Sequence, residues 1–215
     1  LLFSYWFLKT MKKSDESMLW AGLAKETAHQ IGTPLSSMIG WVEVMKLDES
    51  RNSDGLIEIN KDINRLKTIS ERFSKIGSVP ELSDLNLKET VQQNYEYLKT
   101  RISKKVDFAL KVPHNEILTP HNRILMSWVI ENLVKNAVDA MKGEGKLEIC
   151  LYQKNKHVII DVKDSGSGMT SAQIRNVFKP GYSTKKRGWG LGLSLAKRVI
   201  NDFHGGDIKI AESEV

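Results

Sequence analysis

Ala24-Lys-Glu-Thr-Ala-His29-Gln-Ile-Gly-Thr33-Pro34-Leu-Ser-Ser-Met-Ile-Gly40 is the stretch that decides how the N-terminal third folds. Its apolar residues keep a regular beat that continues past it. Ala24, Ala28, Ile31, Leu35, Met38, Val42 and Met45 are spaced alternately by four and three. That is a heptad seam, so the run from Met18 to Met45 predicts a helix with a coiled-coil contact face. With Ala28 at position a and Ile31 at d, His29 and Thr33 fall off the seam. They lie four residues apart, on one exposed face. Pro34 removes a backbone hydrogen bond from the turn containing Gln30, and Gly32 is a weak helix former. Local costs of this kind gather at working sites. A neutral imidazole is a competent nucleophile, and a lone surface histidine without such neighbours would be an ordinary solvated one.

Working outward, a polar break from Asp48 to Gly55 separates this helix from a second one. Ile59, Ile63, Leu66, Ile69, Phe73 and Ile76 mark it, and together the two make an antiparallel hairpin. A single hairpin makes a poor core, so a homodimer with a four-helix bundle is expected. Gly77-Ser78-Val79-Pro80 closes the second helix and marks a domain boundary. Beyond it, Leu87–Ile102 and Ile124–Met141 read as helices. Lys105–Val112, Lys146–Gln153 and His157–Asp164 read as strands, followed by a helix over Leu191–Phe203. Asp207–Val215 begins as another strand. Helices grouped with a few strands, without strict alternation, predict an α+β sandwich with helices on one face of a mixed sheet.

Composition narrows the class. The chain has 215 residues, enough for one or two domains, and its 40% hydrophobic residues can form a core. Cys150 is its one cysteine, which excludes an intrachain disulfide and a multi-cysteine metal site and fits a reducing compartment. Thirty-two basic against 26 acidic residues give +6. The basic residues are interleaved with acids, so the excess suits a polyanionic ligand or a membrane surface, and no direct nucleic-acid binding is expected. Leu1-Leu-Phe-Ser-Tyr-Trp-Phe-Leu8 is apolar but far short of the ~20 residues of a span. It suits either a buried helix start or the tail of a membrane span begun upstream. Lys9, Lys12 and Lys13 then form a cytoplasmic flank.

Three later segments carry chemistry. In Glu131-Asn-Leu-Val-Lys-Asn-Ala-Val-Asp-Ala-Met141, Asn132 and Asn136 point the same way on a helix, with Lys135 and Asp139 beside them. The amides are either satisfied structural groups or carbonyl donors to a hard cation such as Mg²⁺. In Val162-Lys-Asp-Ser-Gly-Ser-Gly-Met169, Asp164 ends a strand and can accept from an exocyclic amine. Gly166 and Gly168 let a flat ring or a phosphate come close. Alone, such a run is a common turn. From Val177 to Ile200 a basic, glycine-rich loop feeds a helix, and Gly188, Gly190 and Gly192 can present amides to phosphate. There is no Gly-x4-Gly-Lys-Ser/Thr, so this is not a P-loop.

The stretch around His29 resembles the phosphoacceptor motif of sensor histidine kinases. The three later segments look like the N, G1, F and G2 boxes of that family's ATP-binding domain, the GHKL (Bergerat) fold shared with gyrase, mismatch-repair and chaperone ATPases. The resemblance covers about residues 15 to 215. It implies autophosphorylation of His29 from ATP and transfer to an aspartate of a response-regulator receiver domain. It implies a homodimer, ATP and Mg²⁺ as cofactors, and a place on the cytoplasmic side of an inner membrane. Thr33 matches the position that serves a phosphatase activity towards the regulator, and Pro34 the helix-bending proline. Asn132, Lys135 and Asn136 match the N box, with Asn136 the Mg²⁺ ligand and Glu131 in the catalytic set. Asp164, Gly166 and Gly168 match the adenine-binding turn. Phe178 matches the F box, and residues from about 170 to 187 the lid. Thr184, Lys185, Gly188, Gly190, Leu191 and Gly192 complete the nucleotide set.

Two positions depart from the pattern. Gln30 stands where the family has a carboxylate beside the histidine, and Glu26, one turn earlier, is the candidate substitute base. Trp189 replaces a small residue. These departures leave open a degenerate kinase acting as a scaffold or as a phosphatase towards its regulator; the other alternative, an ATPase of the same superfamily without histidine chemistry, has the His29 hairpin against it. The domains expected are a juxtamembrane segment over 1–13, a dimerisation and phosphotransfer hairpin over 14–79, and a catalytic domain over 80–215. The family continues for another strand or hairpin past Asp207, so the last domain is expected to be incomplete here.

Overall fold

The computed structural model describes the backbone of residues 2–77, 80–185 and 190–214, and side chains there except at 2–20, 23, 25, 26, 76 and 77. The chain divides into two compact units, Leu1–Val79 and Pro80–Val215.

The first unit is a hairpin of two helices. The helix α1 runs from Leu2 to Leu47, through Pro34 without a break. It therefore takes in the N-terminal apolar run as well as the heptad seam. The break that follows is shorter than the polar stretch suggests. It is one 3-10 turn, Glu49–Arg51, capped by Asp48, whose Oδ1 accepts from the Ser50 amide at 3.0 Å. Helix α2, Asn52–Gly77, starts at once. Gly55 is buried where the helices meet, and a Cβ there would collide with the Met45 thioether. Among the described residues of this unit only Pro34, Gly55 and Ile69 are buried. Ile31, Leu35 and Val42 of the seam remain 40%, 47% and 41% exposed.

The second unit is a mixed three-stranded sheet covered on one face. Strand β1 (Ser83–Asn86) leads into α3 (Leu87–Lys99), capped by the Asn86 side chain. Then come β2 (Val106–Lys111), β3 (Leu118–His121), α4 (Arg123–Ala140), β4 (Gly145–Lys154) and β5 (His157–Asp164). The sheet order is β2-β4-β5. β2 runs parallel to β4 with Val106 opposite Gly145, and β4 antiparallel to β5 with Leu147 opposite Asp164. Alternate residues Val106, Phe108, Leu147, Ile149 and Leu151 point to one face and are buried with Val91, Tyr95, Leu98, Ile130 and Val134 of α3 and α4. The period of two on the strands thus meets the apolar stripes of the helices. Tyr95 sits at the seam of the two layers and donates its hydroxyl to the Phe108 carbonyl at 2.9 Å.

Several elements differ from the sequence reading. β1 and β3 form a separate antiparallel pair, Ser83 opposite His121, that has no hydrophobic alternation to announce it. A short helix α5 (Ser171–Asn176) begins the loop region, closed by a reciprocal Thr170–Gln173 capping box. The helix expected over Leu191–Phe203 is α6 (Gly192–Arg198) continued by a π turn, Val199–Phe203. The strand expected from Asp207 is absent over residues 207–214, which pair with no other strand. Alternation there is a property of side chains, whereas a strand needs a backbone ladder. Among the described residues the segment is held by a side-chain bond, the Met169 amide donating to Ser213 Oγ at 2.7 Å.

Candidate functional site

On the hairpin, Pro34 turns inward and is fully buried, while His29 and Thr33 are exposed. The proline anchors one face of α1 and leaves the imidazole on the other. Thr33 Oγ1 donates to the His29 carbonyl at 3.3 Å, the back-bond open to a threonine one turn on. Gln30 is half-buried beside them. The side chain of Glu26 lies outside the described residues.

On the second unit the site is built along α4. Asn132 and Asn136 are half-buried on one face. A Cβ added at Gly192, the first residue of α6, would lie 3.6 Å from Asn132 Oδ1 and 3.7 Å from Asn136 Nδ2. The α6 N-terminus therefore sits on the two amides, with no side chain between Gly192 and them. Leu191, just before it, is buried and anchors the turn. Glu131 is half-buried and Lys135 exposed on the same helix.

The Asp164–Gly168 turn packs on the far end of α4. Asp164 Oδ1 accepts from the Gly166 amide at 2.8 Å, and the Ser167 amide donates to the Ala140 carbonyl at 3.3 Å. Gly166 is wedged against Ala140, and Gly168 has φ +67°, a left-handed conformation that suits glycine. Asp164 itself is exposed.

The basic loop closes between two more glycines. Gly181 donates its amide to the Gly190 carbonyl at 3.1 Å, and both have positive φ, +79° and +67°. A Cβ at Gly190 would strike the backbone of Gly181 and Tyr182. Phe178 is half-buried, with Lys197 Nζ of α6 5.7 Å from its ring centroid, at cation–π range. Thr184 is exposed in this loop, and Lys185 reaches from it to α4. Lys185 Nζ donates to Asn136 Oδ1 at 2.9 Å and to Asp139 Oδ2 at 2.6 Å. Lys186, Arg187, Gly188 and Trp189 lie outside the described residues. Asp139 is the site residue to which sequence reading gave no role. Its partner is 46 positions away, and only its place beside Asn136 hinted at it.

The donor set fits both expected groups. Asn136 and Asp139 offer hard oxygen donors that already surround one cation, the Lys185 ammonium. Among the described residues no group of three His, Cys, Asp or Glu side chains is placed to hold a metal, so a hard cation here would share its coordination with a polyanion. Asn132 Nδ2 is buried without a hydrogen-bond partner, while its Oδ1 faces Gly192. A buried donor with no acceptor carries a desolvation cost that a phosphate oxygen would relieve. Among the described residues no helix is long and apolar enough to cross a membrane.

Comparison with known proteins gives the family and the fold. Residues 121–215 match the family described as "Histidine kinase-, DNA gyrase B-, and HSP90-like ATPase". Sporulation kinase C of Bacillus subtilis is 27% identical over 207 residues, covering 94% of this chain and 48% of the relative. The catalytic domain of histidine kinase ThkA superposes with a TM-score of 0.56 at 30% identity, covering 61% of this chain and 89% of that one. A crystal structure of ThkA in complex with the response regulator protein TrrA shares the fold over 97% of this chain and 64% of that one, with a TM-score of 0.56 at 24% identity. The chain spans about half, or less, of the length of the curated relatives it matches. An exposed histidine on a helical hairpin and a pair of half-buried asparagines under the start of α6 thus occur in a chain that belongs to the sensor histidine kinases.

Proposed function

We propose that this chain is the kinase core of a two-component sensor, acting as a homodimer. A nitrogen of the His29 imidazole attacks the γ-phosphorus of ATP, the bond to the β-phosphate oxygen breaks, and ADP leaves. The phosphoryl group then passes to an aspartate of a response-regulator receiver domain. The observation that carries the reading is the seating of Gly192 and the α6 N-terminus on Asn132 and Asn136. Together with the buried, unpartnered Asn132 Nδ2, it supports a phosphate position.

Phosphoryl transfer needs alignment and charge neutralisation more than covalent help from the protein. Asp164 would accept from the adenine amine, with Gly166 giving the ring room to approach. Asn132, the α6 amides and Lys185 would hold the phosphates. Asn136 would hold Mg²⁺, which supplies charge neutralisation on the phosphate oxygens. His29 and the nucleotide residues belong to different units, so the reaction requires the linker near 78–84 to bring them together. Gln30 is an amide and takes no proton from the imidazole, which leaves that task to Glu26 in this reading. Thr33, one turn from His29, would orient water for dephosphorylation of the regulator. The apolar run before Lys9, Lys12 and Lys13 supports attachment to the cytoplasmic side of a membrane through an upstream segment.

The test is incubation with γ-labelled ATP and Mg²⁺. Acid-labile, base-stable label on the wild type and none on His29→Gln, with ADP still bound by both, is the expected result. ATP hydrolysis without protein label would leave an ATPase and overturn the histidine chemistry. Label retained in His29→Gln would move the acceptor elsewhere.

A further inference from the structure

We propose that Asp139 is a positioning residue that holds Lys185 as a competitor of the divalent cation at Asn136. The inference rests on the nucleotide reading and deepens it. Asn136 and Asp139 stand three apart on α4, so Oδ1 of one and Oδ2 of the other converge on a single point. The Lys185 ammonium occupies that point, at 2.9 Å and 2.6 Å. The amide has one oxygen to give. A divalent cation coordinated by it at about 2.1 Å would stand within a few ångströms of the ammonium, and like-charge repulsion at that range exceeds what the lysine gains by staying. Lysine and metal therefore exclude each other at Asn136.

Asp139 gives this exclusion its strength. The carboxylate makes the shorter bond and pairs charge with charge, while the amide oxygen is an uncharged acceptor. Both side chains of the ion pair are 43% exposed, so the pair is weak enough to be released. Metal entry thus frees Lys185 from α4 and makes its charge available to the phosphates. The same contact holds the loop segment against α4 until the metal arrives.

The test is ADP binding by calorimetry to the whole chain over a series of Mg²⁺ concentrations. Wild type, Asp139→Asn, Lys185→Gln and the double variant are compared. Both replacements are near-isosteric at half-exposed positions, and circular dichroism checks that each variant is folded. Asp139→Asn is expected to lower the Mg²⁺ concentration for half-maximal effect about threefold, the size of an exposed ion pair. Lys185→Gln is expected to lower it at least as far, and the double variant no further than Lys185→Gln. A higher Mg²⁺ requirement in Asp139→Asn would make the carboxylate a direct partner of the metal and overturn the proposal. Additive effects in the double variant would overturn it too. ADP binding with one Mg²⁺ dependence in all four proteins removes this inference alone. No ADP binding by the wild type removes the nucleotide reading, and this inference with it.

Discussion

Gly166 is constrained by space and not by conformation. A Cβ there would lie 2.6 Å from Asp164 Oδ1, 2.7 Å from Ala140 Cβ and 2.9 Å from the Ala140 carbonyl carbon. Two of those neighbours belong to α4, so the glycine sets how closely the Asp164 turn approaches the helix that carries Asn132 and Asn136. Gly166→Ala must push the turn away or swing the carboxylate off its bond to the Gly166 amide. Overpacking of this kind costs about 1–3 kcal/mol, which a lowered urea midpoint would register. The same displacement moves the group proposed to read adenine, so ADP affinity should fall by about tenfold or more, the worth of a hydrogen bond to a charged group. A variant with unchanged ADP affinity would detach this turn from the nucleotide site. The sequence carries the residues of this site in plain view, since Asp-x-Gly-x-Gly and the two asparagines are local patterns. It carries no trace of the Lys185–Asp139 bond, which depends on the path of the chain between them.

At the scale of elements, α6 is tied to α4 by a histidine. His204 follows the π turn; its Nδ1 donates to the Val199 carbonyl at 2.7 Å, and its Nε2 accepts from the Asn122 amide at 3.1 Å. Asn122 is the N-cap of α4, its Oδ1 accepting from the Leu125 amide at 3.1 Å, so the ring joins the end of one helix to the start of the other. Both ring nitrogens are committed in one neutral tautomer, and a second proton would face the Asn122 N–H. Burial lowers the His204 pKa from 6.5, opposed by the Val199 hydrogen bond and helped by nearby His121. A lowered histidine pKa means that the unfolded chain takes up the proton first. The stabilisation is therefore complete above pH 6.5 and is lost as the pH falls through 6.5 towards the folded value. Urea midpoints at pH 7.5 and 5.5 should differ more in the wild type than in His204→Gln; equal differences would remove the ring from the pH response. None of this was legible in the sequence, because the pin joins positions 82 apart. The elements with a strong period were legible: the hairpin, α3, α4, β4 and β5. β1 and β3 were not, since Ser-Asp-Leu-Asn and Leu-Thr-Pro-His lack β-branched alternation and owe their form to each other and to buried His121, which takes the Thr90 hydroxyl at 2.9 Å. α5 is too short for a period to emerge, yet its Thr170–Gln173 capping box stands in the sequence as a usable start signal.

The whole molecule joins two units whose stability has different sources. Pro80–Val215 contains the continuous core of sheet and helices, with Leu125, Ile130, Leu147 and Ile149 fully buried. It should fold independently of protein concentration. The hairpin buries little of its own seam, leaving Ile31, Leu35 and Val42 40–47% exposed. Burying a leucine side chain contributes about 1.5–3 kcal/mol, and a two-fold axis would count each seam residue twice. The hairpin should accordingly gain its stability from a second copy, and its unfolding should move to higher temperature as protein concentration rises. Circular dichroism should then resolve two transitions, of which one shifts with concentration. Leu35→Lys places a charge in the seam of the hairpin. It should give a monomer in sedimentation where a dimer is expected of the wild type, lower the shifting transition and remove its concentration dependence. ADP affinity should stay as in the wild type, because Asn132, Asn136 and Gly192 all belong to Pro80–Val215 and Leu35 to the other unit. A Leu35→Lys protein that still sediments as a dimer would place the self-association on another face. A single transition, independent of concentration, would mean that the hairpin is stable alone, and the exposed seam would then need a different partner.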